Sequence, residues 1–300
     1  MIDNGDKGVQ LFFVISGLSL CLSAESRGLG ERFSKWEFWK RRIVRVYPLF
    51  AIATLFYFFL NNQIGRVWYA GPQVADYLGL LSTLTLTHGL TPEWINWVVP
   101  GGWAISIETM FYLIFPWLWK KVRSLNAATI WFLVTLITSR GLTILLHPLP
   151  YPNSLLWGEY LYYYLPAQLP IFLLGIVVYW AIREKRWPKI LMSALPLLLV
   201  AGIWKPSLMP AFVWWGIGWS SLILLLNKRT WVGIDNRVMR QLGNVSYEMY
   251  LVHSAVYMGI VGLGLFQLSG NAGVDAILRY GMAIAGSLGV AAGIRALISR

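Results

Sequence analysis

The chain has 300 residues, of which 57% are hydrophobic and 13% are charged. About a quarter of the residues in a soluble domain are charged, so this composition excludes an ordinary soluble domain. The net charge of +12 comes from short basic clusters between apolar runs, which is typical of membrane-protein loops and argues against nucleic acid as a partner. The single cysteine, Cys21, excludes a disulfide framework within the chain and a Cys-x-x-Cys metal pair.

Apolar runs recur along the whole chain and predict an all-α fold. We expect a polytopic transmembrane helix bundle of about nine to ten spans, forming one membrane-embedded domain over residues 1–300. The predicted spans are Val9–Ser23, Ile43–Leu60, Trp103–Trp119, Ala127–Leu146, Tyr160–Ile182, Ile190–Trp204, Ala211–Leu226, Val245–Phe266 and Ala276–Ile298. A further stretch, Tyr77–His88, has about a dozen residues where a crossing helix needs roughly 20, so we interpret it as re-entrant or interfacial.

The distribution of lysine and arginine predicts which loops face the cytoplasm. One set of loops carries Arg27, Arg32, Lys35, Lys40, Arg41, Arg42, Arg45, Lys120, Lys121, Arg123, Arg183, Lys185, Arg186, Lys189, Lys228, Arg229, Arg237, Arg240 and Arg300. The opposite set holds little beyond Lys7, Arg66 and Lys205. The two sets alternate if Asn61–Gly102 stays on one side, which places Met1 on the outer face. Polytopic proteins without a signal often begin inside, so the loop pattern leaves two alternatives open: a chain that starts outside, or a chain that lacks an upstream helix. No cleavable signal peptide is predicted, because no basic start precedes an apolar stretch.

A basic stretch, Lys40–Phe50, lies at the predicted cytoplasmic mouth of the second span. On a helix Arg45 lies four residues from Arg41 and three from Arg42, so their guanidinium groups are neighbours. Arginines at this spacing are suited to clamp phosphate groups through paired hydrogen bonds. The alternative is that they anchor the span to lipid headgroups, which is a common role for basic clusters at a membrane interface.

One carboxylate, Glu108, falls inside the predicted span Trp103–Trp119, where it costs roughly 2.5–3.5 kcal/mol on insertion scales. Such a group is tolerated chiefly where it faces a polar interior and serves function. Tyr112 lies one turn further on the same helix face, so its phenol is placed to hydrogen-bond the carboxylate. We predict that Glu108 accepts a proton or orients a group that does. The alternative is a structural ion pair with an intramembrane arginine such as Arg140.

A polar stripe runs along the apolar helix of the eighth predicted span and consists of Ser246, Tyr250, His253 and Tyr257. Histidine titrates near neutral pH and suits proton transfer; the alternative is interhelical hydrogen bonding that packs the bundle. His88 and His147 lie at span ends and are predicted to be interfacial. The sequence has no His-Glu-x-x-His, Gly-x-Ser-x-Gly or P-loop pattern, so metalloprotease, serine-hydrolase and P-loop functions have no support.

Five stretches, in this order, resemble motifs of the acyltransferase-3 family of membrane acyltransferases. They are Val9–Gly17 (similar to Phe-Phe-x-x-Ser-Gly), Arg41–Pro48 (an arginine-rich stretch ending in proline), Gly102–Tyr112 (similar to Trp-Ser-x-x-x-Glu-x-x-Phe-Tyr, with Ala104 where serine is common), Phe172–Gly175 (similar to Phe-x-x-Gly) and Ser246–His253 (similar to Ser-Tyr-x-x-Tyr-Leu-x-His). The family usually has a first helix with an arginine and a catalytic histidine. This chain begins after that helix, so we expect it to be N-terminally incomplete.

The resemblance implies an O-acyltransferase of the cell inner membrane. Such an enzyme moves an acyl group, typically acetyl from acetyl-CoA, onto a hydroxyl of a cell-surface glycan, a glycolipid or a small molecule. The implied partners are the lipid bilayer, acyl-CoA as co-substrate and the hydroxyl acceptor, with no bound cofactor. Two rival hypotheses are a transporter or flippase that carries acyl or glycolipid groups without forming a bond, and a catalytically inactive fragment.

The expected site residues combine the residue-level argument with the resemblance. They are Glu108 and His253 as catalytic groups, Arg41, Arg42 and Arg45 for the CoA phosphates, and Trp103, Ser106, Tyr112, Ser246 and Tyr250 for substrate binding, with no metal ligand.

Overall fold

The structure, a computed structural model, describes residues 7–29, 34–64, 76–204, 209–227, 236–265 and 269–298. Within these ranges the regular elements are all helices, as the apolar pattern predicts. They are α1 (Lys7–Arg27), α2 (Lys35–Ile64), α3 (Tyr77–Leu84), α4 (Trp103–Lys121), α5 (Leu125–Leu146), α6 (Ser154–Tyr163), α7 (Leu165–Glu184), α8 (Lys189–Trp204), α9 (Ala211–Leu226), α10 (Arg237–Gly262) and α11 (Ala272–Ile298), with a 3-10 turn at His88–Leu90.

Several of these helices have the length and hydropathy of membrane spans. The segments that meet both criteria are Gly8–Arg27, Lys35–Asn62, Leu125–Leu146, Ser154–Glu184 and Gly273–Leu297. The chain is therefore a multi-pass membrane protein. Some sequence predictions lie outside the described residues, namely those on Met1, Arg32, Arg66, Lys205, Lys228, Arg229, Phe266 and Arg300.

Successive long helices of the N-terminal part alternate in direction, which gathers the basic clusters at one end of the bundle. Helices α1, α4 and α7 are parallel: near their ends Arg183 pairs with Glu25 at 2.9 Å and Trp119 packs against Tyr179. Helices α2 and α5 run the opposite way. The end at which α1, α4 and α7 finish, called the basic end below, carries Arg27, Lys35, Lys120, Lys121 and Arg186. The predicted grouping of basic loops on one side agrees with this arrangement.

Two glycines bring the backbones of α1 and α7 into contact. A Cβ built on Gly17 would lie 2.2 Å from the Phe172 carbonyl oxygen, and one on Gly175 would lie 2.2 Å from the Val14 carbonyl oxygen. Small residues allow such close approach between membrane helices, where van der Waals packing supplies much of the association energy. The glycines of two of the predicted motifs thus form one contact, and this contact sets the position of α1 in the bundle.

The described part of the segment between α2 and α4, residues 76–102, is folded against the bundle instead of crossing the membrane. Helix α3 has 8 residues, which corresponds to about 12 Å of helix and agrees with the predicted non-crossing segment. His88 follows it, and its side chain is buried within the protein, with 1% exposure; its predicted position at the membrane interface stays a prediction. Its ring stacks on Phe50, and its Nε2 lies 3.1 Å from the carbonyl oxygen of Gly102. Hydropathy is a property of the local sequence and carries no information about tertiary contacts, so it could not predict that α2 covers this turn.

Helices α10 and α11 form an antiparallel hairpin at the side of the bundle. Arg295 of α11 pairs with Glu248 of α10 at 3.0 Å, and tyrosine hydroxyls join the hairpin to the rest of the chain. Tyr57 of α2 donates to the carbonyl of Leu251 at 2.9 Å. Tyr247 of α10 donates to a carbonyl of α2 at 2.7 Å. The hairpin therefore contacts the helix that carries the predicted arginine cluster.

Candidate active site

Glu108, on the second turn of α4, is the centre of the candidate site. Its side chain is buried, with 5% exposure, and its Oε1 accepts a hydrogen bond of 2.6 Å from the Ser16 hydroxyl of α1. The Tyr112 phenol hydrogen-bonds the same carboxylate, as the four-residue spacing predicts. Hydrogen bonds to a charged group contribute about 1.5–3 kcal/mol each, so two of them are comparable to the insertion cost of one intramembrane acid. This pair of bonds fixes the carboxylate inside the bundle.

Arg42 of α2 contributes positive charge on one side of this carboxylate. Its guanidinium lies 5.7 Å from the ring centre of Phe38 and 5.9 Å from that of Tyr112. It interacts electrostatically with Glu108. The side chain is half-buried, and planar guanidinium groups stack well on aromatic faces. Arg42 is therefore held beside the Glu108–Tyr112 pair.

The other two arginines of the cluster, Arg41 and Arg45, lie one turn apart on α2 and act on different carboxylates. Arg45 is exposed and acts electrostatically on Glu108. Arg41 is exposed and acts instead on Glu37, one turn earlier on the same helix. The structure thus brings two of the three predicted phosphate-binding arginines towards the carboxylate. Arg140, the alternative partner for that carboxylate, lies on α5 and interacts with Tyr164.

Trp103, the first residue of α4, belongs to an aromatic wall at the end of the bundle opposite the basic end. Its ring stacks on Tyr163 with centroids 4.4 Å apart, and it meets the edge of Phe13 at 5.7 Å. Phe13 in turn stacks on Phe172 at 4.3 Å. Helices α1, α4 and α7 therefore share one aromatic layer next to Glu108.

Ser106 fastens the segment that precedes α4. The side chain is fully buried; its hydroxyl donates to the carbonyl of Leu86 at 2.8 Å and accepts from the amide of Gly89 at 3.1 Å. Both partners are backbone groups of the α3–α4 connection. Ser106 thus holds this connection against α4, and its predicted contact with substrate stays a prediction.

Tyr250 connects α10 to the site. Its hydroxyl donates to the carbonyl oxygen of Gly101 at 2.6 Å, and its ring stacks on Phe12 of α1 at 6.3 Å. Gly101 has a φ of +77°, a conformation that glycine adopts without strain, and it lies in the turn that leads into α4. Tyr250 therefore braces the start of the helix that carries Glu108.

Ser246 and His253, the other two predicted site residues of α10, lie on its exposed side. The Ser246 hydroxyl donates to the carbonyl of Gly243 at 2.8 Å. The His253 ring is turned to its own helix, with Nδ1 2.5 Å from the carbonyl oxygen of Tyr250. The structure thus places both in local contacts on the helix surface, and their roles in substrate binding and catalysis stay predictions.

Sequence reasoning did not assign Ser16, although its hydroxyl donates a hydrogen bond of 2.6 Å to Glu108. The two residues are 92 positions apart, so helical spacing carries no information about their contact. A weak signal is present in the sequence, because Ser16 is a hydroxyl inside an apolar run immediately before Gly17, the residue at which α1 and α7 touch.

Known proteins resemble this chain over most of its length. A family model described as an acyltransferase domain matches residues 5–296. The acyltransferase MdmB of Streptomyces mycarofaciens is 27% identical over 277 residues, covering 84% of this chain and 68% of that protein. The O-acetyltransferase OatA of Staphylococcus aureus is 29% identical over 202 residues, covering 59% of this chain and 30% of that protein. The chain therefore spans less than a third of OatA. No solved structure matches the chain significantly.

Proposed function

The chain belongs to the acyltransferase-3 family of membrane acyltransferases, and from this premise we propose that it transfers an acyl group, acetyl in the first instance, from acyl-CoA to a hydroxyl of a cell-surface glycan or glycolipid. The cell inner membrane is the proposed location, with the basic end of the bundle facing the cytoplasm. Similarity to proteins named acyltransferase and O-acetyltransferase supports the reaction class.

The observation that carries the proposal is the buried Glu108, held by Ser16 and Tyr112 and faced by Arg42. Acyl transfer to a hydroxyl needs a group that takes the hydroxyl proton, and a fixed carboxylate is suited to this. Arg42 and Arg45 supply positive charge between the carboxylate and the basic end, which fits a polyanionic donor that arrives from the cytoplasm.

In the proposed reaction the acceptor hydroxyl oxygen bonds to the thioester carbonyl carbon, and the carbon–sulfur bond breaks. The hydroxyl proton passes to Glu108 and from it to the departing CoA thiolate, so CoA leaves as its thiol. Arg42 stabilises negative charge that develops on the carbonyl oxygen or on the phosphates. Trp103 and Tyr112 border the space in which the acceptor lies.

The test replaces Glu108 with glutamine, which keeps shape and removes the proton acceptor. Membranes bearing the variant are supplied with labelled acetyl-CoA and isolated surface glycan, and label on the glycan is measured. General-base catalysis contributes about 10²–10⁴-fold, so the rate should fall by that factor while the protein still inserts and folds. In the same assay Arg42→Gln should raise the KM for acetyl-CoA about tenfold, because a charge-assisted phosphate contact is lost.

A matched control is Glu25→Gln, the same chemical change in a surface ion pair at the basic end. Exposed ion pairs contribute little to stability, so this variant should retain the parental rate. An E108Q protein as active as E25Q would remove Glu108 from the chemistry. Label carried across the membrane without a new ester would instead support the transporter hypothesis.

A further inference from the structure

Helix α6 borders a cleft at the end of the bundle opposite the basic end. The cleft has a volume of about 310 Å³ and is lined by Gly158, Glu159, Tyr162 and Tyr163. The following helix, α7, runs from this region to Arg183 at the basic end. The cleft therefore opens on the side away from the arginines that are proposed to bind the donor.

One wall of the cleft is part of the candidate active site. Tyr163 stacks on Trp103 with ring centroids 4.4 Å apart and an interplanar angle of 29°, and Trp103 begins the helix that carries Glu108. The neighbouring Tyr162 is also fixed, because its carbonyl oxygen accepts a hydrogen bond of 2.7 Å from the buried side chain of Gln168. A molecule in the cleft thus lies against a rigid wall that leads to the carboxylate.

The side chains that line the cleft are of types suited to a carbohydrate. Tyrosine rings present apolar faces to the C–H groups of a sugar ring, and their hydroxyls form hydrogen bonds at the edge. Glu159 Oε2 is buried and makes no hydrogen bond within the described part of the chain. A carboxylate is a strong hydrogen-bond acceptor, which suits a sugar hydroxyl. An acyl chain would leave this carboxylate unpaired, and a phosphate would be repelled by it.

We propose that this cleft is the acceptor subsite and that Glu159 makes it selective for neutral sugars over uronic acids. The inference rests on the proposed function, since it names the class of acceptor for the same reaction. Donor and acceptor then approach Glu108 from opposite ends of the bundle. A uronic acid brings a second carboxylate next to Glu159, and two like charges in a site of reduced polarity repel each other.

The first test fills the cleft by Gly158→Phe. A Cβ on Gly158 meets no atom within 4 Å, so a side chain can be added there without displacing the helix, and we expect the ring to fill the cleft that Gly158 lines. The matched control is Gly141→Phe on α5, where a Cβ also meets no atom within 4 Å. We expect G158F to raise the acceptor KM at least about tenfold, as loss of one stacking contact and one charged hydrogen bond implies. Gly141→Phe should leave both the acceptor KM and the acceptor-independent hydrolysis of acetyl-CoA at their parental values.

The second test measures sugar binding without turnover, so that it stands apart from the acyl-transfer reaction. Tryptophan fluorescence of the purified protein is titrated with cellobiose and with cellobiouronic acid, its counterpart with one carboxylate. The parental protein should bind cellobiose about tenfold more tightly. The Glu159→Gln variant should bind the two sugars about equally, and G158F should bind neither.

The outcomes separate the two proposals. Suppose that the parental protein binds cellobiose selectively, that G158F does not, and that neither transfers an acyl group. This result would support the cleft as a sugar-binding site and contradict the transferase function proposed for this chain. Acyl transfer with an acceptor KM unaffected by G158F would contradict the cleft alone. Equal binding of the two sugars by the parental protein, or binding of neither, would overturn the selectivity proposed for Glu159.

Discussion

The contact between Gly17 and Gly175 predicts that one added methyl group will damage both stability and activity. In Gly175→Ala the new Cβ would lie 2.2 Å from the Val14 carbonyl oxygen and 2.8 Å from the Leu18 amide nitrogen. Both obstacles are backbone atoms, which have no rotamer by which to move away. Helices α1 and α7 must therefore separate, by at least 0.8 Å for the shorter contact to reach 3.0 Å.

The expected magnitude follows from this separation. Overpacking costs typically about 1–3 kcal/mol, and a backbone obstacle places this case near the upper end. Replacing glycine by alanine inside a helix stabilises the helix by about 1 kcal/mol, so the free energy of unfolding should fall by about 2 kcal/mol in total. A shift of 0.8 Å in α1 would also lengthen the 2.6 Å bond between Ser16 and Glu108 to the limit of a hydrogen bond, and the acyl-transfer rate should fall about tenfold.

Stability is measured by reversible unfolding in mixed micelles of lipid and SDS, and activity by label transfer from acetyl-CoA. Gly141→Ala is the control, because its Cβ meets nothing within 4 Å, and it should be as stable as the parent or about 1 kcal/mol more so. A G175A protein that matches this control in both assays would refute the close contact of α1 with α7 and the positioning of Ser16 through it.

Two further predictions concern single polar side chains. Ser16→Ala removes the 2.6 Å bond to Glu108 and should lower the transfer rate about 10- to 100-fold with an unchanged KM for acetyl-CoA; a changed KM alone would contradict a positioning role. Burial lowers the pKa of His88 from 6.5 to about 4. Between these two pH values the unfolded chain therefore binds a proton at His88 and the folded protein does not. Stability should therefore fall by about 2 kcal/mol between pH 7.5 and pH 5, and His88→Gln should flatten this dependence in unfolding measurements at the two pH values. If the parental protein and H88Q lose the same stability between pH 7.5 and pH 5, groups other than His88 cause that loss.

The sequence predicts those features of the molecule that depend on short spacing. Apolar runs mark the helices because each one must be long enough and apolar enough for the bilayer. Four residues along α4 suffice to place Tyr112 over Glu108. The alternation of basic loops likewise anticipates that Arg27 and Arg183 lie at the same end of the bundle.

Features that depend on tertiary packing were not predictable in this way. The Ser16–Glu108 bond joins helices far apart in the chain, and His88 is buried because α2 folds over it. The stripe on α10 shows the same limit. Spacing correctly puts Ser246 and His253 along one helix, but only the packed bundle reveals that both are exposed while Tyr250 is turned inward.

The attachment of the α10–α11 hairpin has a consequence for biosynthesis. The hairpin is joined to α2 and to the start of α4 by the hydroxyls of Tyr57, Tyr247 and Tyr250. Hydrogen bonds between membrane helices contribute about 0.6 kcal/mol on average, so these bonds together contribute only about 2–3 kcal/mol. Helices α1 to α7 hold one another through backbone contact and aromatic stacking, and they leave the ribosome first. We therefore expect a cell to complete the carboxylate site in two stages, with the hairpin docking onto a preassembled body.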